Sequence, residues 1–222
     1  MTTCAEIIAQ LKSLSRPENL EGMARFGINV SNALGISIPN LRRIAKETGK
    51  NHKLALQLWK TNIHDARILA SMIDDPALVT GKQMEQWVAC FNSWDLCDQC
   101  CSNLLDKTAL ARKKSLEWSK RSEEYVKRAG FTLMATLAVH DKKAKDIFFI
   151  KLLPHIKRGA TDKRNYVKKA VNWTLRQIGK RNKSLHKHAI RTAKEISRME
   201  SSSARWIASD ALRELKNYKF RK

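Results

Sequence analysis

The chain has 222 residues, 43% of them apolar, with 43 Lys/Arg against 21 Asp/Glu for a net charge of +22. That length suits one sizeable core or two small ones. With 8 Gly and 4 Pro, no run of about 18 apolar residues and no basic segment leading into an apolar stretch at the start, the composition excludes disordered, membrane-spanning and signal-led classes. The expectation is a soluble cytoplasmic protein, nucleoid-associated if prokaryotic. Four of the five cysteines crowd between Cys90 and Cys101, which is no disulfide framework.

The charge is unevenly spread. Residues 1 to 105 carry 11 Lys/Arg against 10 Asp/Glu, whereas residues 106 to 222 carry 32 against 11. A half with a surplus of 21 attracts a polyanion. A membrane surface or plain solubility would also use such charge. Nucleic acid is the expected partner, because the basic residues recur at equivalent points of helices rather than in one tail.

Helical punctuation starts at once, since Thr3 and Glu6 make a capping box ahead of a stripe of Cys4, Ile7, Ile8, Leu11 and Leu14. Pro17 opens a short second helix through Met23 and Phe26. Pro39 suits the first turn of a third, with Leu41, Ile44 and Ala45 inward and Arg42, Arg43 and Lys46 outward. Helices are predicted over 54–59, 64–73 and 84–91, with Pro76 and Gly81 punctuating between them. Longer ones follow over 109–118, 123–139, 143–156, 165–179, 184–198 and 203–217. No stretch alternates with period 2, so the chain reads as all-α.

The later helices repeat. Val126-Lys127-Arg128-Ala129, Val167-Lys168-Lys169-Ala170 and Ala204-Arg205-Trp206-Ile207 stand 41 and then 37 residues apart, and Ala66-Arg67-Ile68 is a weaker earlier copy. A helix pair recurring at about 40 residues is the period of HEAT-type arrays. Such pairs stack into an α-solenoid lined on its inner face by the second helix of each pair. Those helices would bear Arg67, Asp98, Lys127, Arg128, Lys168, Lys169 and Trp173 around a concave basic groove. The organisation expected is a single domain: N-terminal helices over 1–50, repeat helices over 51–218 and a basic tail over 219–222.

Two stretches carry candidate chemistry. In Phe91-Asn92-Ser93-Trp94-Asp95-Leu96-Cys97-Asp98, Asn92 and Ser93 are good N-caps, which puts Trp94 and Asp98 one turn apart on one face. An indole face beside a carboxylate can stabilise a cationic centre, and the carboxylate can hold a water. The same spacing also suits a core Trp beside a helix-stabilising Asp. Asp95 is placed to serve the helix end rather than the face of Asp98. In the second stretch, Lys169, Trp173 and Arg176 fall at i, i+4 and i+7, a ring flanked by two cations. Arg128 could reach a phosphate or an acidic helix end.

Other chemistry is not signalled. Cys97-Asp98-Gln99-Cys100 is a C-x-x-C without a second ligand pair or a βαβ setting, so Cys97, Cys100, Cys101 and Leu104 read as a small apolar helix face. His64 and His140 stand alone, while His186 and His188 lie in a basic helix. Phosphate-binding, zinc-protease and nucleophile-elbow motifs are missing. Any reaction is expected to need no metal or cofactor.

Three blocks, Ser93-Trp94-Asp95-Leu96-Cys97-Asp98, Tyr125-Val126-Lys127-Arg128-Ala129 and Tyr166-Val167-Lys168-Lys169-Ala170-Val171-Asn172-Trp173-Thr174-Leu175-Arg176, together with Met23-Ala24-Arg25-Phe26 and Gly35-Ile36-Ser37-Ile38-Pro39, make the chain resemble the AlkD-like DNA alkylation-repair family over nearly its whole length. The resemblance implies a HEAT-like solenoid that excises cationic N3- or N7-alkylated purines from double-stranded DNA as a cofactor-independent monomer. Its catalytic cleft maps to Trp94, Asp98 and Trp173. Arg67, Lys127, Arg128, Lys168, Lys169 and Arg176 are expected at the DNA. The resemblance further implies that the lesion can be worked on from the backbone side while still stacked. One departure is Ser93, where the family often has a second Trp. The superfamily also includes members that bind branched DNA without evident base excision, so a non-catalytic scaffold for branched or structured nucleic acid stands as the alternative.

DNA binding should therefore be independent of sequence and steeply salt-dependent. If about six phosphates are neutralised, log K should fall against log salt with a slope of roughly −5. A titration over a range of salt concentrations checks this, and affinity that is flat with salt would refute it.

Overall fold

The computed structural model describes residues 2–220, so Arg221 and Lys222 of the expected basic tail lie outside the described residues. Among those described, thirteen α-helices and one 3-10 turn occur, with no strand, as the all-α reading expected. The chain divides into two compact units, Met1–Ala109 and Leu110–Lys222.

In the first unit, α1 (Cys4–Ser13), α2 (Glu18–Arg25), α3 (Ile38–Thr48), α4 (His52–Lys60), α5 (His64–Ile73), α6 (Gly81–Ala89) and α7 (Trp94–Asn103) precede a 3-10 turn at Leu105–Lys107. The capping box of α1 forms, with Thr3 N donating to Glu6 Oε2 at 2.8 Å and Glu6 N to Thr3 Oγ1 at 3.3 Å. Pro39 stands in the first turn of α3, and Leu41 and Ile44 turn inward. The short helix α5 is buried almost all round and packs on α1, α3, α4 and α7. A helix enclosed in this way has to satisfy its polar side chains inside the protein. Asp65 does so by accepting from the backbone N–H groups of Leu34 (2.6 Å) and Ile36 (2.9 Å). Between those two, Gly35 takes φ +73°, and a Cβ there would stand 2.2 Å from the Arg16 carbonyl oxygen. Residues 34–36 are thereby fixed to the unit.

The second unit contains α8 (Ala111–Trp118), α9 (Glu124–His140), α10 (Asp146–Gly159), α11 (Asn165–Arg181), α12 (Lys183–Ser197) and α13 (Ser202–Asn217). Here α11 packs on α9 and α13, α10 packs on α12, and each odd-numbered helix packs on its even-numbered neighbour. That is two layers of helices, and the recurring Val126, Val167 and Ala204 lie buried at equivalent points of one layer. Phe131, Met134, Phe149, Leu152 and Ile156 lie in the shared core. The predicted start of α10 falls three residues early, because Asp146 rather than Lys143 opens it, and Pro154 is carried inside the helix.

Close approach of α8 and α9 requires a residue without a side chain at position 130. A Cβ on Gly130 would lie 2.3 Å from Ser119 N and 2.7 Å from the Trp118 carbonyl carbon. Both are backbone atoms, which cannot turn aside as a side chain can. Gly130→Ala should therefore lower the unfolding free energy by about 1–3 kcal/mol despite alanine's better helix propensity. Urea unfolding checks this; a gain in stability would mean that the two helices separate freely.

Candidate active site and nucleic-acid interface

A cleft of about 350 Å³ opens in the first unit. Met23, Ile28, Ile36, Ile38 and Ile68 give it apolar walls, and His64, Asp65, Trp94, Asp95, Asp98 and Gln99 supply its rings and polar groups. His64 and Asp65 come from α5, and α7 places the other four. Ser93 is the N-cap residue with extended backbone, and its side chain makes no cap bond to the helix. Its hydroxyl donates instead to the Asp95 carboxylate. Trp94 is the first helical residue, and its indole Nε1 donates to the Phe26 carbonyl at 3.0 Å. Asp98 follows one turn on, half-buried, on the same cleft. The opposite side of α7 is apolar: Leu96, Cys97, Cys100 and Cys101 are all buried. Burial pushes the Cys100 and Cys101 thiols well up, which suits a packing face rather than a ligand pair.

Two sequence expectations change at this point. Asp95 does not merely serve the helix end; it lines the cleft. Its Oδ2 lies 2.8 Å from His64 Nε2 on α5. His64, expected to stand alone, is thus a buried partner of that carboxylate. Burial pulls the imidazole down, but the bond and charge of Asp95, helped by Asp65, outweigh it and leave His64 above its usual value. For Asp95, burial pushes up while the His64 bond and charge and the Ser93 hydroxyl hold it below the ordinary carboxylate range. The signal that could have found the pair was its geometry: both residues lie in the first turn of their helices, and α5 packs on α7.

The remaining candidates are placed as follows. Arg67 lies half-buried on α5, its guanidinium 5.1 Å from the Trp59 ring centroid and its Nε donating to the Trp59 carbonyl. In the second unit, Lys127 pairs with Asp162 at 2.8 Å. Arg128 is only 5% exposed and donates to the Tyr166 carbonyl at 2.5 Å. The Lys168 ammonium stands 4.8 Å from the Trp206 ring centroid. On α11, Lys169 is exposed, Trp173 is half-buried and Arg176 pairs with Glu214 and, at 3.6 Å, Asp210. The face predicted to be ring and cations therefore holds one exposed cation and one whose charge is matched 38 residues on. A larger cavity of about 470 Å³ in this unit is bordered by Lys180 and Arg181. Arg181 is committed to the carbonyls of Ala138 and Asp141 at the end of α9 and of Ala144 in the connection to α10, and Lys180 to Glu214, so these cations already have partners within the unit. Among the described residues, no group of three or more His, Cys, Asp or Glu could hold a metal ion, and no helix is long and apolar enough to cross a membrane.

Known proteins bear on this geometry. A family model described as DNA alkylation repair enzyme matches residues 7–215. An uncharacterized protein of Listeria innocua is 23% identical over 203 residues, covering 90% of this chain and 88% of its own. One from Listeria monocytogenes is 22% identical with the same coverage. Among solved structures, a member of a family related to the HEAT-like repeat DNA glycosylases, with affinity for branched DNA structures, superposes with a TM-score of 0.80 at 19% identity. The match covers 100% of this chain and 99% of that one, and it shows the HEAT-like repeat fold.

The His64 and Asp95 pair should leave a signature in stability against pH. Stabilisation from a raised histidine is complete below about pH 6.5 and is lost as pH rises through the folded value; that from a lowered carboxyl is complete above about pH 3.9 and is lost as pH falls through its folded value. The pair thus contributes most between about pH 4 and pH 6.5. Urea unfolding at about pH 5.5 and about pH 8.5 should show wild type losing more stability than His64→Gln over that rise. Equal losses in the two proteins would contradict the pairing.

Proposed function

Because the chain belongs to the DNA alkylation repair enzyme family, we propose that it is a DNA glycosylase acting on cationic N3- or N7-alkylated purines in double-stranded DNA. The observation that carries this reading is the presence of the Trp94 ring and the Asp98 carboxylate on one cleft. An alkylated purine already bears a positive charge, so no acid is needed to protonate it. The bond from C1′ to the base breaks, the electron pair leaves with the purine and neutralises it, and the sugar becomes cationic. Asp98 opposes that developing charge and orients a water, which adds to C1′ and gives up its proton to the Asp98 carboxylate. The faces of Trp94 and Trp173 contact the sugar in this reading and keep bulk water away. Asp98 and the two tryptophans need no metal or cofactor for this step.

Phosphate contacts fall to Lys169 first, because it is the exposed member of its helix face. Arg67, Lys127, Lys168 and Arg176 already have ring or carboxylate partners and would exchange them for phosphate at a modest cost. Arg128 would act from below, by holding the start of α11 in place through the Tyr166 carbonyl. The groove expected from the repeats would take the duplex, with charge supplying affinity and the cleft supplying chemistry.

Asp98→Asn should slow single-turnover excision by about 100- to 1000-fold while leaving affinity for undamaged duplex unchanged. Trp94→Ala and Trp173→Ala should each cost roughly 2- to 30-fold in the same assay. Lys169→Ala should reduce the salt slope by about 1, and Arg176→Ala by less. The relative's affinity for branched DNA favours one other reading, a non-catalytic scaffold. A wild-type protein that binds branched junctions tightly but releases no methylated purine would establish that reading instead.

A further inference from the structure

Among the cleft side chains that the excision mechanism does not use are two that bond each other, His64 and Asp95. Asp95 sits between Trp94 and Asp98 in the first turn of α7, and its carboxylate is held from α5 by His64 Nε2 at 2.8 Å and from its own helix by the Ser93 hydroxyl. Further along, Asn103 Nδ2 of α7 approaches Ser71 Oγ of α5 at 3.3 Å. The buried side of α7 is otherwise Leu96 and the small side chains Cys97, Cys100 and Cys101, with Cys100 hydrogen-bonded to Ser71 of α5 in the same region as the Asn103 contact, so at the Trp94 end the bond to His64 is the polar link from α7 to α5.

We propose that His64 is a positioning residue of the cleft, which sets the rotation of α7 about its axis through Asp95 and so aims Trp94 and Asp98 together. The inference rests on the excision reading for its effect on rate, though not for its geometry. Side-chain tips lie about 6 Å from a helix axis, so a turn of about 10° moves them by about 1 Å. A misplacement of that size can cost about 100-fold in rate. The groups facing the imidazole are Asp95 from α7 and Asp65 and Arg67 from its own helix. Neutral imidazole with its proton on Nε2 still donates to Asp95, more weakly than the charged form, so the device needs the donor and is strengthened by the charge. A glutamine at 64 can place an amide N–H near the same point; a leucine cannot.

The test compares wild type, His64→Leu and His64→Gln in single-turnover excision from methylated duplex, in affinity for undamaged duplex, and in the amide-nitrogen NMR spectrum. The Trp94 indole N–H resonance is assigned by its loss in Trp94→Phe. His64→Leu should excise about 10- to 100-fold more slowly with unchanged duplex affinity, and its Trp94 indole resonance should shift and exchange faster with water. His64→Gln should restore the resonance and bring the rate within about threefold of wild type. If His64→Leu does not fold, Asp95→Ala removes the same bond from the other side and should give the same pair of changes. Wild-type excision with an unmoved indole resonance in His64→Leu would overturn the proposal, as would a His64→Gln protein as defective as His64→Leu. If wild type itself excises nothing, the glycosylase reading fails, while the indole resonance still decides whether His64 aims α7.

Discussion

A carboxylate removed from water has to be matched inside the protein, and Asp65 shows what that requirement builds. At 1% exposure on the most enclosed helix of its unit, it finds its partners in two backbone N–H groups of the segment 26–37. Each hydrogen bond to a charged acceptor is worth about 1.5–3 kcal/mol, and leaving the charge unmatched would cost more. The stretch thus held supplies Ile36 to the cleft wall, and the same connection carries Ile28 on that wall and, where it leaves α2, the Phe26 carbonyl that receives the Trp94 indole. One buried charge therefore links the helix at the centre of the unit to the wall of the cleft.

In the second half of the chain the requirement is reversed, because cations outnumber carboxylates there by 21. The carboxylates that exist are used internally. Asp162 joins Lys127 and Arg164, and Glu214 joins Arg176 and Lys180. Such pairs orient the long side chains without removing the surplus, so the unit keeps a strong positive field whatever each pair is worth. Attraction for a polyanion then comes from the sum of the charges, and individual contacts only set where it is held.

What the sequence disclosed and what it hid divide by distance along the chain. Helix ends marked by local chemistry were readable: the Thr3 and Glu6 capping box, Pro39 in the first turn of α3, the whole of α5, and Ser93 as the cap before Trp94. So was the approach of Trp94 and Asp98, since one helical turn brings them together. The pairing of His64 and Asp95 across 31 residues left no periodic trace, and the repeat of about 40 residues does not itself mark Arg176 and Glu214 as partners, which is why His64 read as isolated, Asp95 as a helix-end residue and Arg176 as a free cation. The path of 26–37 was hidden for the same reason, because irregular backbone is fixed by partners elsewhere and not by its own pattern.

The apolar side of α7 also bears on how such a protein survives its surroundings. Alkylating electrophiles react with thiolates far faster than with thiols. Cys100 and Cys101 are fully buried and held in the protonated form by that burial, and Cys97 is buried beside them. The helix that carries Trp94 and Asp98 is thus backed by sulfur that presents neither access nor nucleophilic charge. The reagents that would create the damaged bases this chain is proposed to remove meet in α7 a helix with little on its packed side for them to modify.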